Sequence, residues 1–336
     1  MIIPKRAMAV LLLAVAVSAA VLIYLRRTPT AVQTAAVPDL LWLAPADAPL
    51  LFYADLAALR SSTFLAQLAA IAPSPTTDRE YAEFVRGSGF DYARDLDRVV
   101  VAMRPGTPAD VTVALAEGRF DRARIASYAL RTGRLERQDG REVYVVPSGT
   151  PQKSVAFAFL DANRIALADG PRLAPAIAAR APGGFDAAMR ERIGRVSGAA
   201  MFAVGQVAGV PENFSPGGMR SDQFSNLARS LRWFSLAARP EGEGLKVAVE
   251  GECDTPDNAR QLAGTLDGLR LLGQAAVADP RTRQRLVPET LNLLETFLRV
   301  TQVSRDAQRV RLTLELTPEM LRAAARKSPE ANAPVR

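Results

Sequence analysis

An uncharged apolar run at residues 7–25 constrains this chain more than any other part of its sequence. From residue 7 to residue 25 there are 19 residues, which as a helix would span about 28 Å, close to the hydrocarbon thickness of a bilayer. Four basic residues flank the run: Lys5, Arg6, Arg26 and Arg27. Because such charges can reach lipid headgroups, we predict a membrane anchor over residues 1–27 with these four side chains at the membrane interfaces.

A cleaved signal peptide is the alternative interpretation of the same run. Ser18 and Ala20 supply the small residues that a cleavage site requires. However, apolar residues continue through 21–25, whereas a mature N-terminus is usually more polar. We therefore favour an uncleaved anchor. A lipoprotein anchor is excluded because the single cysteine, Cys253, lies far from the run.

The charges around the anchor also predict its orientation. A short N-terminal tail that carries positive charge is difficult to translocate, so the N-terminus is expected in the cytoplasm. The chain would then be a single-pass protein of the inner (cytoplasmic) membrane. Its bulk would be extracytoplasmic, and the lipid bilayer would be a partner through the N-terminal helix.

The net charge of +7 does not indicate a nucleic-acid partner. Four of the 42 basic residues flank the apolar run, which leaves 38 basic residues against 35 acidic ones in the rest of the chain. An excess this small, spread along the sequence, provides no basic stripe for a phosphate backbone. We therefore expect no binding of nucleic acid.

The absence of histidine narrows the possible chemistry further. It removes the common general base near neutral pH, every Ser-His or Cys-His nucleophile and the usual ligands of zinc. The single Cys253 can form neither an internal disulfide nor a thiolate cluster. We expect no cofactor, no metal and no catalytic residues of these types.

The order of predicted elements repeats along the chain after a linker at residues 28–39. Residues 40–182 and 195–327 each show a strand, a helix, two strands, a second helix and closing strands, with residues 199–207 as the first strand of the second repeat. This order predicts an α+β fold of two tandem ferredoxin-like (βαββαβ-type) halves, each an antiparallel sheet with helices on one face. Residues 328–336, with two prolines, are expected to be a disordered tail.

Short local signals place individual elements within the repeats. Asp139-Gly140 predicts a two-residue hairpin turn. Thr255 followed by Pro256 predicts the start of a long helix. The apolar residues of that helix recur at helical spacing and are expected on one side of it: Leu262, Leu266, Leu269 and Leu272.

Two segments of the first repeat resemble a known family. The sequence PADAP at residues 45–49 precedes the first strand, and FAFLD at residues 157–161 precedes IAL at residues 165–167 and a short helix. Together they resemble a family of uncharacterised bacterial membrane-anchored proteins that combine one N-terminal membrane segment with a domain of unknown function. The likeness covers residues 41–179. It implies a membrane location and this fold, and it supplies no catalytic residues.

Two polar clusters are better explained by structural roles than by functional ones. Asp91, Asp95 and Asp97 gather carboxylates after two glycines, but their spacing fits no EF-hand, so a solvated turn and helix cap is favoured over a calcium loop. Lys153 and Ser154 lack the Ser-x-x-Lys spacing of a serine/lysine nucleophile and are expected in a loop between strands.

The segment 208–220 is long, lacks periodicity and carries three apolar residues: Val210, Phe214 and Met219. Long irregular loops in compact domains are usually either functional or mobile connections. A mobile connection is favoured here, and a loop that holds a ligand or a partner is the alternative.

Three functional hypotheses follow. The leading one is an interaction or structural protein of the cell envelope that acts without catalysis, with envelope proteins or a lipid as partners. The second is a binder of lipid or another apolar small molecule in a cleft between the two halves, with the Phe214 loop as its lid. The third is a carboxylate-dependent hydrolase, which needs two buried acids about 5–9.5 Å apart. Glu250 and Glu252 share one strand face, but exposed charges on an outer face explain them better.

Overall fold

The computed structural model describes residues 39–71, 79–104, 111–148, 150–173, 184–209 and 230–320. Contacts divide the chain into two compact units. The first unit contains the described residues up to 61 and those from 79 to 209, and the second contains residues 62–71 and 230–320. Strands paired in antiparallel ladders are combined with helices, which confirms the predicted α+β class.

The elements are numbered in chain order. The strands are β1 (Leu50–Asp55), β2 (Leu96–Arg104), β3 (Val111–Gly118), β4 (Arg134–Gln138), β5 (Arg141–Ser148), β6 (Thr150–Phe159), β7 (Arg164–Asp169), β8 (Met201–Gln206), β9 (Leu231–Glu241), β10 (Gly244–Cys253), β11 (Gln302–Asp306) and β12 (Arg309–Leu316). The α-helices are α1 (Leu56–Arg60), α2 (Thr63–Ile71), α3 (Arg79–Ser88), α4 (Tyr92–Asp95), α5 (Arg122–Ala129), α6 (Ala187–Val196), α7 (Pro256–Ala278), α8 (Pro280–Arg285) and α9 (Pro288–Val300).

The first unit is built on strands in the order β8-β1-β2-β3-β7-β6-β5-β4. In β1, Leu50, Leu51, Tyr53 and Ala54 are all buried although successive side chains point to opposite faces, so this strand is covered on both sides. Farther along the sheet, α5 supplies Ala129 to a core cluster with aromatic and aliphatic residues of the neighbouring strands: Phe157, Ile165, Tyr144, Phe159 and Leu167.

The second unit orders its strands β11-β12-β10-β9, and α2 contacts β9 and β10. The N-terminal half of α7 packs on this sheet, where Ala259 and Leu262 join Cys253 and Val310 in a buried cluster. Burial raises the pKa of the Cys253 thiol. The side chain of Thr255 caps α7 and Pro256 occupies its first turn, as the sequence predicts, because proline needs no hydrogen-bond partner for its nitrogen there.

The tandem ferredoxin-like arrangement is not confirmed. In a split βαβ unit, the strands before and after the helix are parallel and a third strand separates them. Here β1 and β2, the strands before and after the first helices, are direct antiparallel neighbours. Residues 199–207, predicted to open the second repeat, instead supply β8, which pairs with β1 in the first unit. The local pattern identifies a strand correctly, but the choice of its partner depends on contacts about 150 residues apart in the sequence.

Several predictions fall on residues outside the described ranges. They include the anchor at residues 1–27 with Lys5, Arg6, Arg26 and Arg27, and the tail at residues 328–336. Among the helices that the structure describes, none combines the length and the apolarity needed to cross a bilayer. The anchor therefore stays a prediction from the sequence.

Candidate functional site

Four side chains of alternating charge stand next to one another at one end of the first unit's sheet. The strand register pairs Asp55 with Arg98, Arg98 with Glu117, and Glu117 with Arg164. The series therefore crosses β1, β2, β3 and β7 at a single level. We call these four residues the charge ladder. Opposite charges on directly paired residues stabilise adjacent strands, so the ladder favours this register.

Glu117 is the centre of the charge ladder because it accepts from two arginines. Arg98 Nη1 donates to Glu117 Oε1 at 2.7 Å, and Arg164 Nε donates to Glu117 Oε2 at 3.2 Å. On its other side, Arg98 Nε lies 3.4 Å from Asp55 Oδ2. Burial alone would lower the pKa of Arg98, but the carboxylates of Asp55 and Glu117 raise it above its ordinary value. Arg98 therefore remains a cation between the two carboxylates.

Tyr53 joins the ladder from the same strand as Asp55. Its hydroxyl donates to Asp55 Oδ2 at 3.4 Å, and its ring stacks on Phe202 of β8 with centroids 4.9 Å apart. Burial, followed by the negative charge of Asp55, raises the pKa of the Tyr53 phenol. The hydroxyl therefore remains a proton donor to the carboxylate rather than an acid at neutral pH.

A second polar cluster adjoins the ladder where α4 leads into β2. Asp91 caps α4 by accepting from the backbone N–H of Ala93, and Asp95 accepts from the N–H of Asp91 at 3.0 Å. Arg94 donates to both oxygens of Asp95 at 2.9 and 3.0 Å. The predicted helix cap is confirmed, but the prediction of a solvated turn is wrong because Asp91 and Asp95 are buried. Their burial is made possible by these hydrogen bonds.

The ionisation of Asp95 reflects a balance of opposing effects. Burial alone would raise the pKa of Asp95, but the hydrogen bonds from Arg94 and from the backbone of Asp91 hold it below its ordinary value. Asp97, the third carboxylate of the sequence cluster, pairs instead with Arg60 of α1 at 3.0 Å. The three aspartates therefore have separate partners and do not converge on one point.

Gly118 allows the backbone of β3 to lie very close to the backbone of Asp95. A Cβ atom at this position would lie 2.2 Å from the backbone oxygen of Asp95, so any side chain would displace one of the two segments. The neighbouring Arg119 N–H donates to that same oxygen at 2.8 Å, and the Gly118 N–H donates to the oxygen of Asn163 at 2.9 Å. Glycine is required here for space, since its backbone lies against backbone.

A cleft of about 540 Å³ opens beside the ladder. Charged side chains, a glycine and the β6–β7 turn line it: Asp97, Glu117, Gly118, Arg119, Asp161, Ala162, Asn163 and Arg164. Each acid in this lining has a cation nearby, since Arg164 Nη1 lies 3.8 Å from Asp161 Oδ2 in addition to the pairs described above. The carboxylates that line the cleft therefore already have partners within the protein.

The second unit carries a different kind of surface on α7, on α9 and at the residue just before α9. Six large apolar side chains are exposed there: Leu269, Leu271, Leu272, Val287, Leu294 and Phe297. We call this set the apolar helical surface. Among the described residues only three other large apolar side chains are comparably exposed: Trp42, Leu130 and Leu135. Exposed apolar side chains are therefore concentrated in one stretch of the chain.

The sheet does not cover the whole length of α7, which explains why these leucines are exposed. Leu262 and Leu266 pack in the cluster around Cys253, whereas Leu269 and Leu272 are 50% and 68% exposed. The predicted apolar side of the helix thus continues past the sheet. Contact with α9 continues farther along, where a Cβ atom on Gly273 would lie 2.9 Å from the side chain of Leu298.

Two further groups of residues were considered as candidates from the sequence. Val210, Phe214 and Met219 are outside the described residues. Lys153 and Ser154 lie within β6 and not in the predicted loop.

The prediction that Glu250 is an exposed charge is wrong. It is buried in β10, and its Oε2 accepts from Nη2 of Arg311 on β12 at 2.7 Å. The reason is the strand register, which places Arg311 directly opposite. No carboxylate of the charge ladder was identified from the sequence either, because its paired members lie 19 to 47 residues apart along the chain and only strand pairing brings them together.

No family model matches this sequence, and no curated protein matches it. Among solved structures, crystal form III of TP0453 is similar over 88% of this chain and 100% of its own, with a TM-score of 0.48 and 9% identity. Crystal form I of TP0453 is similar over 88% of this chain and 99% of its own, with a TM-score of 0.42 and 8% identity. We base no functional argument on this level of similarity.

Replacing Glu117 by glutamine should lower the free energy of unfolding by about 2 kcal/mol, because Arg98 and Arg164 would lose their shared carboxylate. Urea unfolding at neutral pH measures this change. Glu142→Gln, at an exposed position of β5 opposite Arg137, is the matched control and should change stability by less than about 0.5 kcal/mol. Equal effects of the two substitutions would show that the charge ladder contributes no more to stability than an exposed charge pair.

The depressed pKa of Asp95 predicts a specific acid sensitivity. A carboxyl group with a lowered folded-state pKa stabilises the fold above its unfolded pKa of about 3.9, and this contribution is lost as pH falls through the folded value. Asp95→Asn should therefore lower stability at pH 7 and flatten the loss of stability below about pH 4. Asp139→Asn, in an exposed turn with φ 48° that asparagine also adopts, should keep the native profile. An unchanged acid slope in Asp95→Asn would contradict the assignment.

Proposed function

We propose that this chain is a membrane-anchored extracytoplasmic protein of the cell envelope that acts by noncovalent contact. The observation that carries the proposal is the apolar helical surface, because six of the nine large apolar side chains that are exposed in the described part of the chain fall at residues 269–297. Scattered exposed apolar residues need no explanation, but a concentration of them is typical of an interaction surface.

The helices that carry this surface are held in place by contacts of their own. Gln274 of α7 donates to the backbone oxygen of Leu298 in α9 at 3.3 Å, and Arg283 of α8 pairs with Glu295 of α9 at 3.2 Å. Pro288 opens α9. The surface is therefore presented by packed helices, which reduces the entropy lost when a partner binds.

The charge ladder agrees with a contact function because its groups are occupied with one another. A carboxylate-dependent hydrolase needs one acid that keeps its proton and a second that is ionised. In the first unit's cleft, Asp97 and Glu117 are each paired with arginine within 3.2 Å. Both carboxylates are therefore already engaged in ion pairs, and this site gives no support to the hydrolase hypothesis.

The proposed location rests on the apolar run at residues 7–25 and on the family resemblance of residues 41–179.

Introducing two charges into the run, Leu13→Arg and Val17→Arg, should release the protein from the membrane fraction, because each arginine at the centre of a spanning helix is unfavourable by about 3 kcal/mol. Ala35→Arg with Ala36→Arg adds the same charge within the predicted linker and should leave the protein membrane-bound. Fractionation followed by alkaline carbonate extraction measures the difference, and retention of both variants would contradict the anchor.

A photo-crosslinking amino acid tests the contact function directly. Placed at Leu272 in native cells, it should form adducts with envelope components, because this side chain is 68% exposed on the proposed surface. The same group at Leu135, which is 47% exposed on β4 of the first unit, is the matched control and should react little. Equal adduct yields at both positions would contradict a dedicated contact surface.

A further inference from the structure

We propose that the partner of the apolar helical surface is an anionic lipid bilayer, with its aliphatic side chains against the acyl region and the arginines of α8 against the headgroups. This inference rests on the proposed function, since it names the partner of that contact surface. Three observations support it: the apolar stripe on α7, the exposed arginines of α8 and the residue types of the surface.

The apolar stripe on α7 suits partial insertion of a helix that lies in the membrane interface. Leu269 and Leu272 are three residues apart and therefore occupy the same side of the helix. Their exposures of 50% and 68% leave much of each side chain accessible. Val287, between α8 and α9, is 59% exposed, so apolar side chains occur both before and after α8. Exposed apolar side chains of this kind gain free energy when they enter the boundary between headgroups and acyl chains.

Exposed arginines lie on the short helix between these apolar residues. Arg281 and Arg285 are four residues apart on α8 and share one side of it, and both are exposed. Arg283 pairs with Glu295, but its side chain remains 50% exposed. From residue 269 to residue 299 the sequence has five arginines against three acids. Arginine next to aliphatic residues matches a surface that presents phosphates above hydrocarbon.

The residue types favour a bilayer over a protein partner. Strong protein–protein contacts are dominated by tryptophan, tyrosine and arginine, and leucine and valine are under-represented in them. The apolar helical surface consists of four leucines, one valine and one phenylalanine. Aliphatic side chains of this kind gain free energy simply by leaving water, which an acyl region provides without any complementary pocket.

The predicted anchor would hold the whole chain beside a bilayer. The anchor is predicted to end at residue 27, and the described chain begins at residue 39. Twelve residues span at most about 40 Å when fully extended. A membrane surface is then present at high effective concentration, whereas a soluble partner would have to be captured from solution.

Site-specific fluorescence on the full-length protein tests the proposal. Cys253 is replaced by alanine, and a single cysteine at Leu272 carries an environment-sensitive dye. The protein is reconstituted through its own N-terminal segment into vesicles of phosphatidylcholine, or of equimolar phosphatidylcholine and phosphatidylglycerol. In the anionic vesicles the dye should shift to shorter wavelength and be quenched by spin-labelled lipid. A dye at Leu135 of the first unit, which is 47% exposed, should remain unquenched.

A charge variant separates lipid recognition from nonspecific adhesion. Arg281→Gln with Arg285→Gln should reduce the ratio of docked to undocked label in anionic vesicles by about 30-fold, because each surface arginine contributes roughly fivefold to binding of anionic lipid. Arg137→Gln with Arg141→Gln removes two exposed arginines from the first unit and should leave the ratio unchanged.

Each remaining outcome overturns the proposal or one of its parts. An unquenched dye at residue 272 in anionic vesicles rejects the bilayer as partner. If the dye shift also grows with the protein-to-lipid ratio, the surface binds a second copy of the chain instead. Equal quenching in both vesicle types rejects the role of the arginines. Failure of the anchor is recognised separately, because the protein would then not remain with phosphatidylcholine vesicles while the anionic vesicles still bound it.

Discussion

The interaction on which the first unit depends is the sharing of Glu117 between Arg98 and Arg164. These three residues occupy adjacent strands at one level, and Asp55 continues the alternation onto β1. A shift of one strand by a single residue would move its charge to the opposite face and leave the neighbouring charges without partners. The apolar core fixes which side of each strand faces inward, and the charge ladder adds a further preference for one pairing. Register is thereby specified over four strands by groups that lie far apart in the sequence.

This arrangement also explains why a polar cleft need not be a catalytic one. Buried or half-buried charges require partners, and removal of one partner is much more unfavourable than the pair itself is favourable. Around the cleft, Gly118 brings the backbone of β3 against Asp95, while Arg60 reaches from α1 to Asp97. The result is a network in which carboxylates accept hydrogen bonds from guanidinium groups. Such a network stabilises a single geometry, whereas acid–base chemistry needs a group poised to change its protonation state.

Local features of the fold were predictable from the sequence, and long-range ones were not. Asp139-Gly140 forms its turn with φ values of 48° and 78°, because backbone conformation there is decided by two residues. The assignment of β8 to the first unit depends on pairing with β1, which no local pattern encodes. Glu250 illustrates the same limit for the candidate residues, since its burial follows from Arg311, 61 residues later. Helical spacing likewise predicted one apolar side of α7 but not where the sheet that covers it ends.

That last difference separates the folding role of α7 from its proposed binding role. Ala259 and Leu262 fix the first half of the helix against the sheet, so the fold does not need Leu269 or Leu272 to be covered. In water, leaving a leucine side chain exposed forgoes about 1.5–3 kcal/mol of transfer free energy, and neighbouring exposed leucines promote association. Beside a bilayer the same side chains recover that free energy by insertion. A chain held at a membrane by its N-terminal segment can therefore keep an apolar surface that would be a liability for a protein free in solution.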